Sequence, residues 1–259
     1  MSDFLETVVA ERRADMDARP SEPSITRSAK ARPSFVHAIR AQRARGRIAV
    51  IAEVKRVSPA LGTLAPDADP ASLARMYADA GATAISVLVE PRHWNGSIAD
   101  LAAAAAAVDL PLLCKDVVVD EKQLREAKDA GASAVLLIAE ALDDATLASF
   151  VGSARALGLD ALVEAHEHRA FVRAVASGAT LVGVNARNLR VPAELDRDRV
   201  DALHGLVRPE QLLVAESGIG SAADVEALPA RVDAVLVGTA LMTAADPGAL
   251  VRSLAAVRR

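Results

Sequence analysis

The sequence predicts an α/β protein, a (β/α)8 barrel of the TIM-barrel kind carrying a helical N-terminal extension. Three observations lead there. Short β-branched or leucine-rich runs recur eight times, at 49–54, 83–89, 111–115, 134–138, 160–164, 180–184, 212–216 and 233–237, with alanine-rich segments of helix length between them. Three of these runs are introduced alike by a glycine suited to ending a helix, in "DAGATAISVL", "DAGASAVLLI" and "ASGATLVGV"; "ARVDAVLVG" keeps the pattern without the glycine. The 259 residues match the roughly 250 that one closed barrel needs. Eight strand–helix units favour closure over an open doubly wound sheet, so residues 1–259 read as one barrel domain of which 1–47 is the extension.

Composition narrows the function classes. The chain is 52% hydrophobic with only 2% aromatic residues, as expected where small side chains let helices pack closely on a central sheet. A net charge of −4 gives no electrostatic reason to expect a nucleic-acid partner or an anionic membrane surface. The first 47 residues hold ten Lys/Arg against six Asp/Glu, but interspersed, which fits a solvated helical face better than a binding arm. The start, "MSDFLETVVAERR", has no basic segment leading into an apolar one, and no run of about 18 uncharged apolar residues occurs anywhere, so a cytoplasmic location is expected. Cys114 is the one cysteine, which excludes an intramolecular disulfide; inside "LPLLC" with no histidine close in sequence it is a poor nucleophile.

The elements follow in order. In the extension, Phe4, Leu5, Val8 and Val9 fit one helix stripe, "ARPSEPS" reads as a loop, and Ser34 is placed to cap a second helix with Phe35 and Ile39 on one face; both helices are expected to pack on the barrel. The first strand, "AVIAEVKRVSPALG" with its continuation, is an apolar run that ends abruptly in Glu53, Lys55 and Arg56. Glu53 and Lys55, two apart, share a side and can both point into the barrel mouth. The second strand ends with Glu90, the third with Lys115-Asp116 and the fifth with Glu164 and His166. The sixth ends with Asn185 and Arg187, the seventh with Glu216-Ser217-Gly218 and the eighth with Gly238-Thr239. A rim ion pair or a helix cap explains any one of these. Six of eight strands ending in a charged residue point to a site, and in this fold the chemistry sits at the C-terminal strand ends.

Two glycine-bearing turns suit a phosphate. "ESGIGSAADVEAL" leaves the seventh strand through Ser217-Gly218 and "VGTALM" leaves the eighth through Gly238-Thr239, where backbone N–H groups at a helix start can be approached closely. The spacing Gly218-x-Gly220-x-x-Ala223 also matches a dinucleotide fingerprint, but the next strand begins rather than ends with its acid, Asp233, and the unit closes a series instead of opening a sheet. In "HEH", His166 and His168 would not face one another on a helix, so no metal is expected there, and His37 and His204 read as surface residues.

Taken together, "IAEVKRVSPALG", "SVLVE", "LLCKD", "AVLLI", "LVEAH", "GVNARNL", "AESGI" and "AVLVGTALM", in this order and spacing, resemble the indole-3-glycerol phosphate synthase family across residues 1–259. The resemblance implies a lyase of tryptophan biosynthesis acting on 1-(2-carboxyphenylamino)-1-deoxyribulose 5-phosphate, with ring closure, loss of CO2 and dehydration and without cofactor or metal. It implies Lys115 as general acid and Glu164 as its acid/base partner, with Lys55 binding the carboxylate beside Glu53. Asn185, Ser217, Arg187 and Glu216 would orient the substrate, Ser58, Gly218, Gly238 and Thr239 would hold its phosphate, and Trp94 and Leu189 would line the pocket. Two Lys and several Glu around one cavity can push each other's pKa values apart, which gives an acid and a base at neutral pH. The expected partner is this phosphorylated small molecule, with no nucleic acid or membrane, and a monomer is favoured.

The chain departs from the family's usual pattern. Val117 follows "CKD" where the family has Phe, Trp94 stands in "HWNGS" where Phe is usual, and Val89 stands where Thr is frequent. These rearrange the aromatic wall and leave a paralogue with shifted substrate choice open. Three alternatives stand beside the main reading. A phosphoribosyl anthranilate isomerase would lack the pairing of "EVKxxSP" with "CKD". An indole-3-glycerol phosphate lyase would run on to indole, and a non-enzymatic subunit would have lost some of the strand-end charges.

Overall fold

A computed structural model describes residues 3–19 and 32–259; residues 20–24 of the expected loop "ARPSEPS" lie outside the described residues. Eight parallel strands close into a barrel: β1 (Ala49–Val54), β2 (Ala84–Leu88), β3 (Leu112–Lys115), β4 (Ala134–Ile138), β5 (Asp160–Ala165), β6 (Leu181–Asn185), β7 (Leu212–Glu216) and β8 (Ala234–Val237), which pairs back to β1. The expected runs agree with these strands to within one residue at either end. The third run loses its first residue because Pro111 has no N–H to give the ladder. Gly81, Gly131 and Gly178, expected to end helices, take φ of 95°, 93° and 84°, a left-handed turn that a side chain would strain.

Helices cover the outside: α3 (Pro70–Asp79), α4 (Ile98–Ala107), α5 (Glu121–Asp129), α6 (Asp144–Ala156), α7 (His168–Ala176), α8 (Arg199–Leu203), α9 (Ala222–Ala227), α10 (Thr239–Thr243) and α11 (Pro247–Ala255). A short antiparallel hairpin, Val57–Ser58 with Gly62–Thr63, follows β1.

The two helices of the extension, α1 (Phe4–Ala18) and α2 (Phe35–Ala44), pack at opposite ends of the barrel. Ser34 caps α2 by accepting the His37 N–H at 3.2 Å and donates to Asp160, at the start of β5, at 2.8 Å. Phe35 and Ile39, both fully buried, thereby plug the N-terminal end among Ala49, Ala84, Leu181 and Ala234. The other helix, α1, lies over the C-terminal mouth. Its Phe4 N–H donates to the Arg190 carbonyl at 3.0 Å, and Arg12 meets Asp116, the residue after β3, at 2.5 Å in a buried ion pair.

Alternation along the strands then decides what the interior holds. Ile51, Leu113, Leu136, Leu162, Val214 and Leu236 fill its middle, and two residues further on the same faces deliver Glu53, Lys115, Glu164 and Glu216 to the mouth. Three buried carboxylates in one layer cost too much free energy unless they are paired or protonated. How that cost is met defines the site.

Candidate active site

Position on the barrel brings the predicted residues together. An open cavity of about 1000 Å³ at the C-terminal mouth is lined by Glu53, Lys55, Lys115, Glu164, Asn185 and Ser217, and by Ser58, Arg187, Leu189, Trp94, Gly218, Gly238 and Thr239. Glu216 is reached through Lys115, whose Nζ donates to its Oε2 at 3.0 Å.

Charges alternate across the cavity floor. Lys55 Nζ lies 2.9 Å from Glu53 Oε1, and Lys115 Nζ lies 3.3 Å from Glu53 Oε2 and 3.0 Å from Glu216 Oε2. Glu53 thus sits between two ammonium groups and Lys115 between two carboxylates. Burial pushes Glu53 up, but Lys55 and Lys115 outweigh it and hold its carboxyl below the usual range. Burial pushes Lys115 down, yet Glu216, Glu53 and Glu164 together carry it well above an ordinary amine. Glu164 goes the other way: burial first, and the Glu216 carboxylate second, raise it well above a normal carboxyl against the pull of Lys115. The arrangement therefore keeps one cation protonated and one acid holding its proton well above the ordinary carboxyl range.

A polar side wall completes the mouth. Asn185 Oδ1 accepts the Ser217 hydroxyl at 2.8 Å and the Arg187 N–H at 3.0 Å. Ser217 and Gly218 take φ of 69° and 76°, two left-handed residues in succession that turn the chain sharply after β7. Among the described residues no carboxylate pairs with Arg187, which is half-buried, with its pKa lowered by burial, and facing the cavity. Its guanidinium donates to the Pro192 carbonyl at 2.5 Å.

Several expectations change in detail. Arg56, next to Lys55, turns away and grips Asp100 at 2.6 and 2.9 Å, holding the loop after β1 against α4. Asp116 has its carboxylate occupied by Arg12 and by the Gln123 amide at 2.8 Å. His166 is buried outside the cavity with Nδ1 3.1 Å from Glu140 Oε1, because β5 ends one residue before it. Glu90 accepts the backbone N–H groups of Arg92, His93 and Trp94 at 3.0, 2.7 and 3.2 Å, and so shapes the loop that presents Trp94.

Gly218 precedes α9 by several residues and is therefore on a loop, not at a helix start. Gly238 does cap α10, but its lack of a side chain has a second cause: a Cβ there would stand 2.0 Å from Glu53 Oε1.

Sequence reasoning missed Phe4 and Leu5 of α1, which line the cavity. Phe4 meets Trp94 edge-on at 5.8 Å and His93 at 5.1 Å. The stripe signal was present in the sequence, but nothing in it says which end of the barrel the helix covers.

Trp94 and Val117 both line the cavity. A larger ring beside a smaller side chain keeps the total volume roughly constant, which packed surfaces tolerate better than a one-sided change. Val117→Phe alone is expected to crowd the cavity and weaken substrate binding, and Trp94→Phe alone to lose about 1 kcal/mol of ring contact, with Phe4 included. The double variant is expected to recover much of each loss in kcat/KM. Simple additivity in that double-mutant cycle would show that the two do not share a wall.

The fold and the site together define a (β/α)8-barrel protein with an acid/base centre at its C-terminal mouth. Among solved structures, tryptophan synthase from M. tuberculosis matches at a TM-score of 0.64 with 17% identity, covering 86% of this chain and 98% of the other. Thiamine phosphate pyrophosphorylase from Pyrococcus furiosus matches at a TM-score of 0.58 with 18% identity, covering 80% and 93%. At these identities the likeness is one of fold. The family model described as indole-3-glycerol phosphate synthase matches residues 5–254. A Mycolicibacterium vanbaalenii protein named indole-3-glycerol phosphate synthase is 44% identical over 96% of this chain and 93% of its own length. A Nocardioides relative of the same name is 53% identical over 80% of each chain. The chain belongs to the indole-3-glycerol phosphate synthase family.

Proposed function

We propose that this chain is a carboxy-lyase that converts 1-(2-carboxyphenylamino)-1-deoxyribulose 5-phosphate to indole-3-glycerol phosphate, CO2 and water. The observation that carries the reading is the alternating set Lys55–Glu53–Lys115–Glu216 with Glu164 raised beside it. Ring closure joins the ring carbon that bears the carboxylate to the ketone carbon, and the ketone oxygen takes a proton. Loss of CO2 returns the bonding pair to the ring. Dehydration then needs a second proton on the departing hydroxyl and removal of one from the neighbouring carbon. Two protons given and one taken leave one taken up per turnover, as the charge of the lost carboxylate requires.

In this reading Lys115 supplies the protons to oxygen, because its neighbours keep it charged, and Glu164 takes the proton from carbon. Lys55, held by Glu53, binds the substrate carboxylate. Asn185, Ser217, Arg187 and Glu216 orient the chain of the substrate, and Leu189 and Trp94 enclose its ring. The phosphate is assigned to Ser58, Gly218, Gly238 and Thr239. Among the described residues no helix is long and apolar enough to cross a membrane; the reading includes a cytoplasmic monomer acting on a free small molecule.

Purified protein incubated with the carboxyphenylamino deoxyribulose phosphate is expected to generate indole fluorescence. A flat trace with the folded protein would remove the reading. Product analysis separates indole-3-glycerol phosphate from free indole.

Thr239→Glu tests the phosphate assignment. It sets a negative charge against the bound dianion, so KM is expected to rise strongly with little change in melting temperature. A substrate analogue without the phosphate is expected to be almost indifferent. If the analogue suffers equally, the phosphate is bound elsewhere. Gly218→Asp would give a less clean answer, since φ at Gly218 is 76° and a side chain there adds backbone strain.

A further inference from the structure

Three buried carboxyl oxygens in this site have no hydrogen-bond partner, and while Glu53 Oε2 still has Lys115 Nζ at 3.3 Å, Glu164 Oε2 and Glu216 Oε1 have no cation beside them. The other oxygen of Glu216 is satisfied by Lys115 Nζ at 3.0 Å. Unsatisfied oxygens at this depth are costly, and two ionised carboxylates can only accept, so neither can satisfy the other until one of them carries a proton.

The backbone shows why they come so close. Gly183 pairs with Glu164 on one side and with Val214 on the other, on the inner face of β6. A Cβ built on Gly183 would stand 2.4 Å from Glu216 Oε1, 3.3 Å from Glu164 Cβ and 3.4 Å from Leu162 Cδ1. The first of these is a collision with an oxygen. A glycine in mid-strand weakens a sheet, and it does not serve a turn here, since its φ is not among the positive ones. The space it leaves is filled by a carboxylate from the next strand.

We propose that Gly183 is a positioning residue: without a Cβ on the inner face of β6, Glu216 Oε1 lies against Glu164, and the two acids share one proton between Glu216 Oε1 and Glu164 Oε2. The pair then titrates as a unit, and its proton is the one that Glu164 must release before it can act as a base. The kinetic arm of the test rests on the reaction proposed above; the titration arm does not. The groups facing Glu164 are Glu216 from β7, Lys115 from β3 and Glu140 after β4; Glu53 from β1 faces Lys115. Glu216 and Glu140 favour the protonated acid and Lys115 opposes it, so moving Glu216 away lowers the pH at which Glu164 ionises.

The test is a carbon-13 carboxyl NMR titration of glutamate-labelled protein, with the Glu164 signal identified by its loss in Glu164→Gln. Gly183→Ala is expected to lower the Glu164 midpoint by about one pH unit, and the acid limb of kcat/KM is expected to follow it down. Glu216→Ala removes the colliding oxygen. It is expected to lower the midpoint by itself, and adding Gly183→Ala to it is expected to move nothing further. This second pair also serves if Gly183→Ala alone does not fold, because the collision is then absent. An unmoved midpoint in Glu216→Ala, or in folded Gly183→Ala, overturns the proposal, as does an equal shift from Gly183→Ala in the Glu216→Ala background. Wild-type protein without turnover would remove the proposed reaction and leave the titration to decide this inference.

Discussion

Replacing Lys115 by methionine is expected to lower turnover by about a hundredfold to ten-thousandfold, the range for losing a positioned proton donor. The reasoning starts from the three carboxylates around it. Glu216, Glu53 and Glu164 hold Lys115 charged far above neutral pH, so the wild-type protein always has the proton to give. Methionine fills similar volume but cannot give one. Substrate affinity is expected to change much less, because Lys55, proposed for the carboxylate, and Ser58 and Thr239, proposed for the phosphate, are untouched. Stability is expected to fall as well, since Glu216 Oε2 loses its cation at depth and Glu53 keeps only Lys55. The measurement is therefore kcat and KM at a temperature where a melting curve shows the variant folded. Turnover near that of wild type, with KM raised instead, would reduce Lys115 to a binding residue.

The parts of this site that could be read from the sequence are those where a strand's pattern breaks. A buried parallel strand is an apolar run, so Glu53, Lys115, Glu164 and Glu216 announce themselves by interrupting one at its end. Alternation separates neighbours as well: Lys115 follows the inward Leu113 by two, while Asp116 has the opposite parity and goes to Arg12. Parity fails where the strand stops. His166 is two after Glu164, but β5 ends at Ala165 and the next residue is free to turn outward to Glu140. The rest depended on contacts between elements distant in sequence. The α1 stripe is legible as a stripe, but its seat over the mouth is fixed by Arg12 with Asp116 and by Phe4 with Arg190, more than a hundred residues away in each case. Gly183 in "LVGVN" reads only as a weak point in a strand until Glu216 on β7 is set beside it.

Glu164→Gln is expected to lower turnover by about a hundredfold or more and to remove the acid limb of the pH–rate profile. The sign follows from the environment of the acid. Burial and the Glu216 carboxylate favour the neutral form of Glu164, so its proton leaves only well above the roughly 4.3 of an exposed glutamate. A base must be ionised to act, and activity in wild type therefore rises as pH increases through that displaced midpoint. Lys115 must be protonated, and its raised pKa puts its loss of activity beyond the ordinary lysine range, so the profile between is a plateau bounded on its acid side by Glu164. Glutamine keeps the size and polarity of the side chain but has no proton to lose. The substrate phosphate, which ionises near pH 6, contributes to kcat/KM in both proteins and cancels when the variant's profile is divided by that of wild type. That ratio, measured from pH 5 to 9, is expected to be highest at low pH and to fall as the wild-type base ionises. A ratio that stays flat across the range would mean that the acid limb belongs to another group, and the role of base would have to leave Glu164.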